Sequence, residues 1–216
     1  MNIGIIGAGN MGRTLARLFL DADHDVMLAN SRGPDSLAGL VEELGDGASA
    51  GTVEEVVEFS SVVFLATRWA DIPTAVAGIN DWNGKIVVDT TNNYDVSGTV
   101  LDTGGRGSTE LISAFLPGAR IVKSFNHGEI DRLPEHFGAA ADPDNPTAIL
   151  VAGDNEEAKE IGSMLIGDIG GAAVDTGTLT DGDRLHGIGG PLVGLRPIGE
   201  TLALLAEHST GPGSAS

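Results

Sequence analysis

Short, continuous apolar segments alternate along the chain with segments whose apolar residues recur every three or four positions. Continuous apolar segments are typical of strands buried on both faces, and the spaced pattern is typical of helices with one buried face. The predicted strands are Asn2–Gly7, Asp25–Asn30, Ala48–Ala50, Ser61–Ala66, Lys85–Asp89, Arg120–Ser124, Ile149–Ala152 and Ala172–Asp175. The alternation predicts an α/β fold of the Rossmann type, with a doubly wound, mostly parallel sheet.

Most of the predicted strands are followed by a predicted helix. Met11, Leu15, Leu18 and Phe19 give the first helix one buried face, and Pro34 stands where a second helix can begin. Further helices are predicted over Val53–Phe59, Ala70–Gly78, Thr109–Phe115 and Glu156–Ile166, and a last helix carries Leu195, Ile198, Leu202 and Leu205.

The chain shows no internal repeat and no linker long enough to divide it. Its 216 residues can bury one good core, so we expect a single compact domain over residues 1–210. The part from about residue 127, which includes the glycine-rich segment Gly187–Pro197, is expected to close over the carboxyl edge of the sheet as a helical cover. Residues 211–216 are expected to form a flexible tail.

Composition excludes several classes of protein. No apolar segment approaches the roughly 20 residues of a membrane span, and Met1 leads directly into the first strand without the layout of a signal peptide. The absence of cysteine excludes disulfides, thiolate metal sites and a cysteine nucleophile. We therefore expect a cytoplasmic location.

The chain is strongly acidic, with 12 basic and 31 acidic residues and a formal net charge of -19. Such a surface repels nucleic acid and anionic membranes, so we expect neither as a partner. The charge is compatible with an ordinary soluble surface and also with a protein from a high-salt cytoplasm, where screening removes the self-repulsion.

The first strand runs into the sequence Gly7-x-Gly9-x-x-Gly12, and a helical pattern follows directly. Gly7 permits a tight turn, Gly9 lets the backbone approach a pyrophosphate, and Gly12 lets the helix pack closely on the strand. Free N–H groups at the start of the helix then face the phosphates. The segment predicts a dinucleotide site at the amino end of the chain.

The end of the second strand distinguishes NADP from NAD. An NAD site usually carries an Asp or Glu there, whereas an NADP site supplies an arginine for the extra phosphate. Residues Met27–Pro34 contain no acid, and Ser31 and Arg32 can both donate hydrogen bonds to a phosphate. The sequence therefore predicts an NADP(H) site, with Arg13 facing the same phosphate from the first helix.

Polar residues follow three further strands at the edge where a nicotinamide would lie. The candidate residues at these strand ends are Ala66, Thr67, Arg68 and Trp69 at or after the end of the fourth strand, Thr91 and Asn92 after the fifth, and Lys123, Asn126 and His127 at or after the end of the sixth. Because Arg13, Arg32, Arg68 and Lys123 fall near the same edge, we expect them to offset the acidic charge locally.

No other constellation in the chain carries chemistry. The five histidines show no metal-ligand spacing, and no Ser-His-Asp set or nucleophile elbow occurs, so we expect no metal. His127 and His186 could reach the cleft but are more often structural or solvated in such positions. The expected reaction is hydride transfer by the cofactor, with Lys123, Asn126 and His127 as candidate catalytic residues.

These motifs together resemble the deazaflavin-dependent NADP oxidoreductases, which pass a hydride between NADPH and coenzyme F420. The resemblance covers most of the chain. It rests on the segments 5–12, Asn30-Ser31-Arg32, 87–92, Leu116 to Asn126 and 174–179, of which Leu116-Pro-Gly-Ala-Arg-Ile-Val-Lys-Ser-Phe-Asn126 is the most specific. Two positions depart from the family pattern, because it has a small residue, often Ala, at Ser124 and more often Thr at His127.

The resemblance implies a role for each segment. Gly7, Gly9, Asn10, Met11 and Gly12 would hold the pyrophosphate, and Ser31 and Arg32 would hold the 2′-phosphate. Lys123 to Asn126 would border the nicotinamide, and the segment near Gly189–Gly194 would help to cover the deazaflavin. The resemblance also implies a homodimer, with the helix from Leu195 to Leu205 available for an interface.

Two alternatives stay open on the sequence. One is a reductase of a small carbonyl or imine, which would need Lys123 or His127 as a general acid. The other is an NADP-binding redox sensor that reports to a protein partner.

Overall fold

A computed structural model describes residues 1–209 and shows eight strands in one sheet. The strands are β1 (Asn2–Ile6), β2 (Asp25–Ala29), β3 (Ala48–Ala50), β4 (Val62–Leu65), β5 (Ile86–Asp89), β6 (Arg120–Ser124), β7 (Ala148–Gly153) and β8 (Ala172–Asp175). Their order across the sheet is β3-β2-β1-β4-β5-β6-β7-β8. Neighbouring strands are parallel except for β6 and β7, which confirms the predicted Rossmann-type sheet. The predicted tail, residues 211–216, and residue 210 lie outside the described residues.

The helices flank this sheet. They are α1 (Asn10–Asp21), α2 (Ala38–Leu44), α3 (Val53–Phe59), α4 (Ile72–Ala75), α5 (Ser108–Ser113), α6 (Leu133–His136), α7 (Glu156–Asp168), α8 (Leu179–His186) and α9 (Ile198–Ser209). The helix predicted over Ala70–Gly78 is shorter, because a 3-10 turn precedes α4 and the backbone leaves helical geometry at Val76. None of the helices within residues 1–209 has the length and apolar character that crossing a membrane requires.

The strands separate two apolar cores. Ile3 and Ile5 of β1 pack with α1, α2 and α7 on one face of the sheet, whereas Ile6 packs with α3, α4 and α5 on the other. A smaller cluster on β7 and β8 includes Leu185 of α8 and Leu192. Because side chains alternate between faces, strands buried on both sides are apolar throughout, as the sequence pattern predicts.

The antiparallel strand β7 determines where the carboxyl-terminal part of the chain lies. Ser124 at the end of β6 pairs with Val151 in β7, and the chain then returns through α7 to β8, parallel to β7. As a result, α8 packs on β7 and α5, beside the carboxyl end of β6. Residues about 60 positions apart in the chain therefore meet at this end of the sheet.

The glycines of the first turn differ in what surrounds them. Gly7 has a φ of +115°, which side chains rarely adopt, and a Cβ at Gly12 would lie 1.8 Å from the carbonyl oxygen of Gly7. A Cβ at Gly9 would meet nothing within 4 Å. Gly12 is therefore required for packing α1 on β1, while Gly9 faces open space.

Gly12→Ala is expected to destabilise the protein by about 3 kcal/mol or more, because overpacking forces α1 away from β1. Gly9→Ala is the matched control and should change the free energy of unfolding by less than about 1 kcal/mol, close to the helix-end propensity difference alone. Urea denaturation of both variants measures this. Equal stabilities would show that α1 can move away from β1 at little cost.

Two histidines are buried beside each other behind the carboxyl end of β6. The rings of His127 and His186 are 5.9 Å apart in an edge-to-face arrangement, and both side chains are almost fully buried. The pKa of His127 is lowered to about 4, mainly by burial and also by the charge of Arg196, against a hydrogen bond to Ala148 that raises it. Burial, the His127 ring and Lys123 hold the pKa of His186 well below its usual value. Both rings are therefore neutral at pH 7.

The stability of the protein should decrease as the pH falls below 6.5. The unfolded chain protonates His127 near pH 6.5, whereas the folded protein does so only near pH 4, so the unfolded state binds more protons in between. Through His127 alone, the free energy of unfolding should fall by about 1.3 kcal/mol between pH 7.5 and pH 5.5. Urea denaturation at the two pH values should show this loss, and His127→Phe should reduce it. An unchanged pH dependence in the variant would contradict the assignment.

Candidate active site

A cleft of about 1220 Å³ runs along the carboxyl edge of the sheet. It is lined by the turn after β1, the ends of β2, β4 and β5, and the segment that follows β6. The lining includes Gly7, Gly9, Asn10, Met11, Asn30, Ser31, Arg32, Ala66, Thr67, Arg68, Trp69, Thr91, Asn92, Tyr94, Asp95, Phe125, Asn126, Gly128, Glu129 and Ile130. The cleft lies where the strand order reverses between β1 and β4, which is the position of ligands in open α/β sheets.

The amino end of α1 opens into the middle of this cleft. No side chain caps α1, and its first turn contains no acidic residue. By contrast, α3, α7 and α8 are capped by Thr52, Asn155 and Thr178, and each of these helices has an acidic first turn. The backbone N–H groups at Asn10 and Met11 are therefore free to bind an anion, and the open side of Gly9 permits its close approach.

The turn after β2 forms one end of the cleft. The Asn30 side chain closes this turn, because its Oδ1 accepts from the Arg32 backbone N–H at 2.9 Å and its Nδ2 donates to Ser36. Ser31 and Arg32 are exposed, and within residues 1–209 the Arg32 guanidinium has no hydrogen-bond or ion-pair partner. An unpaired guanidinium beside a hydroxyl is suited to binding a phosphate.

The other predicted cations do not add positive charge in the same way. Arg68 lines the cleft, but its guanidinium pairs with Asp71, because its Nη2 lies 2.6 Å from Asp71 Oδ2. Arg13 donates to the carbonyl oxygen of Ala8 at 3.1 Å and does not line the cleft. Of the four cations expected at this edge, Arg32 alone is both in the cleft and unpaired.

Lys123 does not lie in the cleft, which corrects the expectation that it binds the cofactor or acts on the substrate. Its side chain is fully buried, and its ammonium donates to Thr109 Oγ1 at 2.8 Å and to Ser108 Oγ at 3.0 Å. Asp183 lies 3.3 Å away and Asp89 lies 3.6 Å away. These groups occupy its donors, so Lys123 links β6 to α5 and α8 instead.

Asp89 completes this buried network at the end of β5. Its carboxylate accepts from the Thr91 backbone N–H at 2.9 Å, the Thr91 hydroxyl at 2.7 Å and the Thr109 hydroxyl at 2.6 Å. The network fixes the backbone at Thr91, which lines the cleft. Removing Lys123 would leave the buried carboxylate of Asp89 and the partly buried carboxylate of Asp183 without their cation, which explains why a lysine stands in a buried strand.

Phe125 and Asn126 follow β6 and form part of the wall of the cleft. Phe125 has a φ of +59°, an uncommon conformation for a residue with a side chain, and such strain is often found at functional sites. Asn126 Nδ2 donates to Asn92 Oδ1 at 3.2 Å and to the His186 carbonyl oxygen at 2.8 Å. The Asn92 Nδ2 in turn donates to the Asn126 carbonyl oxygen at 2.7 Å.

His127 points away from the cleft, which corrects its candidacy as a catalytic residue. Its Nε2 lies 3.5 Å from the Ala148 carbonyl oxygen, and its Nδ1 has no hydrogen-bond partner among the described residues. A neutral ring outside the cleft cannot supply a proton to a substrate there.

The glycine-rich segment Gly189–Gly194 also lies outside the cleft, whose carboxyl-terminal lining ends at Ile130. It packs instead behind the segment that follows β6, with the Gly194 N–H donating to the His127 carbonyl oxygen at 2.6 Å. Within residues 1–209, the cover from residue 127 onward consists of Gly128, Glu129 and Ile130.

Sequence reasoning missed three groups that the structure brings to this region. Tyr94 and Glu129 line the cleft, and Asp183 pairs with Lys123. The pattern Thr178-x-x-Asp181 is a capping box that could have indicated α8, the helix that carries Asp183 and His186. No local signal in the sequence indicates that α8 meets β6.

Comparison with known proteins gives matches over the amino-terminal part and over most of the chain. The model of the family described as NADP oxidoreductase, coenzyme F420-dependent, matches residues 2–93. The metalloreductase STEAP3 of Rattus norvegicus is 26% identical over 187 residues, which are 86% of this chain and 36% of that protein. The chain thus spans about a third of the length of the curated relatives that it matches.

Two solved structures are similar over most of their length. The hypothetical protein SMa0349 from Sinorhizobium meliloti is 36% identical, with 89% of this chain and 93% of that chain covered and a TM-score of 0.80. A proposed F420-dependent NADP reductase from Arthrobacter sp. FB24 is 25% identical, with 83% and 86% covered and a TM-score of 0.69. These matches show that residues 2–93, which include the uncapped turn and the acid-free end of β2, carry the domain of the family of coenzyme F420-dependent NADP oxidoreductases.

Proposed function

We propose that the chain binds NADPH along the whole cleft and promotes hydride transfer to a planar acceptor at the end lined by Tyr94, Glu129 and Ile130. The observation that carries this proposal is the pairing of two anion sites in one cleft. The uncapped start of α1 lies at its centre, and the unpaired Arg32 lies at one end. That arrangement suits a pyrophosphate and a 2′-phosphate of one extended molecule.

The chain's own residues would perform three tasks. Gly9, Asn10 and Met11 offer backbone to the pyrophosphate, while Ser31 and Arg32 hold the phosphate on the adenosine ribose. Asn92, Thr91 and the strained backbone at Phe125 then define where the nicotinamide end lies. When bound, NADPH supplies the hydride, so these residues need to bind, orient and exclude water.

The structure supports an acceptor that needs no proton from the protein. Reduction of a small carbonyl or imine requires a proton donor, and Lys123 and His127, the two candidates that the sequence offers for this role, both lie outside the cleft. Transfer of a hydride between two stacked rings needs little acid–base assistance, and positioning supplies most of the rate. The family description names coenzyme F420, and we propose this deazaflavin as the acceptor.

A second candidate is reduction of a small carbonyl or imine, and one observation favours it. Tyr94 lines the same end of the cleft as Asn92 and offers a hydroxyl that could donate a proton. On that hypothesis Tyr94→Phe would lower the rate with a carbonyl or imine by about 100-fold, the usual contribution of a general acid.

Arg32→Ala is expected to weaken NADPH binding by about 1.5–3 kcal/mol, the range for hydrogen bonds to a charged group, and to change NADH binding little. Arg17→Ala is a matched control, because it removes the same charge from an exposed pair with Glu43 outside the cleft. Calorimetric titration of both nucleotides measures the effect. An equal loss for NADPH and NADH would contradict a 2′-phosphate site at Arg32.

The reaction itself is tested by mixing the protein with NADPH and the deazaflavin and following the absorbance of the acceptor. We expect bleaching that requires both NADPH and protein. At saturating NADPH the rate should increase with salt, because F420 is an anion and the acceptor end carries Asp95 and Glu129 in a chain with net charge -19. If the protein binds NADPH tightly but bleaches none of the acceptors tested, it would be a redox sensor, and the proposed reaction would be contradicted.

A further inference from the structure

A series of hydrogen-bonded side chains leads from the buried side of α8 to the cleft. His186, at the end of α8, places its Nδ1 2.9 Å from Asn126 Oδ1. Asn126 Nδ2 is 3.2 Å from Asn92 Oδ1, and Asn92 lines the cleft. We call His186, Asn126 and Asn92 the relay, and its first and last members are 94 residues apart along the chain.

The hydrogen-bonding groups of the relay determine which atom donates at each step. An amide oxygen can only accept, so His186 Nδ1 must carry the hydrogen that meets Asn126 Oδ1. Both hydrogens of Asn126 Nδ2 are used, one by Asn92 Oδ1 and one by the His186 carbonyl oxygen. His186 therefore holds Asn126 at two points, through its ring and through its backbone.

Burial makes this arrangement rigid at one end and leaves it open at the other. His186 is fully buried and Asn126 is 6% exposed, so neither can exchange its partner for water at low cost. Asn92 is half-buried, and its two contacts to Asn126 leave one N–H and one oxygen lone pair directed by the relay. Asn92 and Asn126 both line the cleft, and these free groups belong to Asn92, the more exposed of the two.

The surroundings of His186 keep its ring in place. The Thr176 hydroxyl lies 3.1 Å from His186 Nε2 and 3.0 Å from the Val151 carbonyl oxygen. The His127 ring packs against it edge to face, and the positive charge of Lys123 helps to lower the pKa of His186 and so keeps the ring neutral. Since these contacts come from β6, β7 and the end of β8, the ring orientation is fixed by the fold itself.

We propose that His186 is a positioning residue, which holds Asn126 and thereby orients the Asn92 amide toward the nicotinamide end of bound NADPH. This inference rests on the proposed function, because it requires NADPH in the cleft. It assigns a role in the amino-terminal cofactor site to a side chain from the carboxyl-terminal part of the chain. His186 itself touches neither cofactor nor acceptor.

Two substitutions separate the hydrogen bond from the volume of the ring. His186→Phe keeps the ring but removes the donor to Asn126. His186→Asn loses volume but keeps an N–H near the position of Nδ1. His136→Phe is the control, because it makes the same change at a histidine on α6, outside the relay and outside the cleft.

Two ligands distinguish positioning of the nicotinamide from a general loss of structure. NADPH reports on the whole cleft, and the fluorescence anisotropy of its nicotinamide reports how firmly that end is held. Adenosine 2′,5′-bisphosphate lacks the nicotinamide and reports only on Ser31 and Arg32 and on the first turn of α1, where its 5′-phosphate would lie. Neither readout requires turnover of an acceptor.

We expect His186→Phe to weaken NADPH binding about threefold to tenfold, as for loss of one neutral hydrogen bond, and to lower the anisotropy of the bound nicotinamide. Its affinity for adenosine 2′,5′-bisphosphate should stay within twofold of wild type. His186→Asn should restore most of the anisotropy, and His136→Phe should match wild type. In an Asn126→Ala background, His186→Phe should have no further effect on NADPH.

Either of two results would overturn the inference: His186→Phe that binds NADPH with unchanged affinity and anisotropy, or a parallel loss of affinity for both ligands. Wild-type protein that binds neither ligand would contradict the proposed function instead. If His186→Phe does not fold, nitrogen NMR of wild-type protein with labelled histidine gives the same decision. The relay requires the neutral ring with hydrogen on Nδ1 and a shift at His186 when NADPH is added, and a ring with hydrogen on Nε2 alone would overturn it.

Discussion

The contact between α1 and β1 is the constraint on which the rest of the site depends. A side chain at Gly12 would meet the Gly7 carbonyl oxygen at 1.8 Å, so the helix can approach the strand only with glycine there. This approach directs the uncapped start of α1 into the point where the strand order reverses. Because the other parallel strands end at the same edge, their terminal residues form the walls of one cleft.

The distribution of charge shows how a strongly acidic chain can accommodate an anionic cofactor. Buried or paired cations contribute little to the cleft, since Lys123 faces Asp89 and Asp183 and Arg68 faces Asp71. Among the residues of the cleft that the structure describes, what remains is a set of fixed backbone dipoles at α1 and one unpaired guanidinium at Arg32. Short-range groups of this kind discriminate between phosphates at defined positions, whereas the net charge of -19 acts on any anion that approaches.

Local patterns predict the elements of this fold well, and the site only in part. The strands, the glycine turn and the acid-free end of β2 each depend on residues within one segment, so their pattern is visible in the sequence. The prediction that Lys123 lies in the cleft is wrong because its partner Asp183 is 60 residues further along the chain. That contact depends on the antiparallel direction of β7, which no local pattern indicates. The contact of His186 with Asn126 depends on the same long connection, so no local pattern predicts it either. The helix α8 itself could have been predicted from its capping box but is absent from the sequence prediction.

The account depends most directly on how a dinucleotide lies in the cleft, and a crystal structure with NADPH bound measures this. We predict the 2′-phosphate within hydrogen-bond distance of Ser31 and Arg32, the pyrophosphate at the first turn of α1, and the nicotinamide beside Asn92. A cofactor bound in the reverse direction would contradict the account, and so would a phosphate pocket at Arg32 that stays empty while NADPH binds elsewhere.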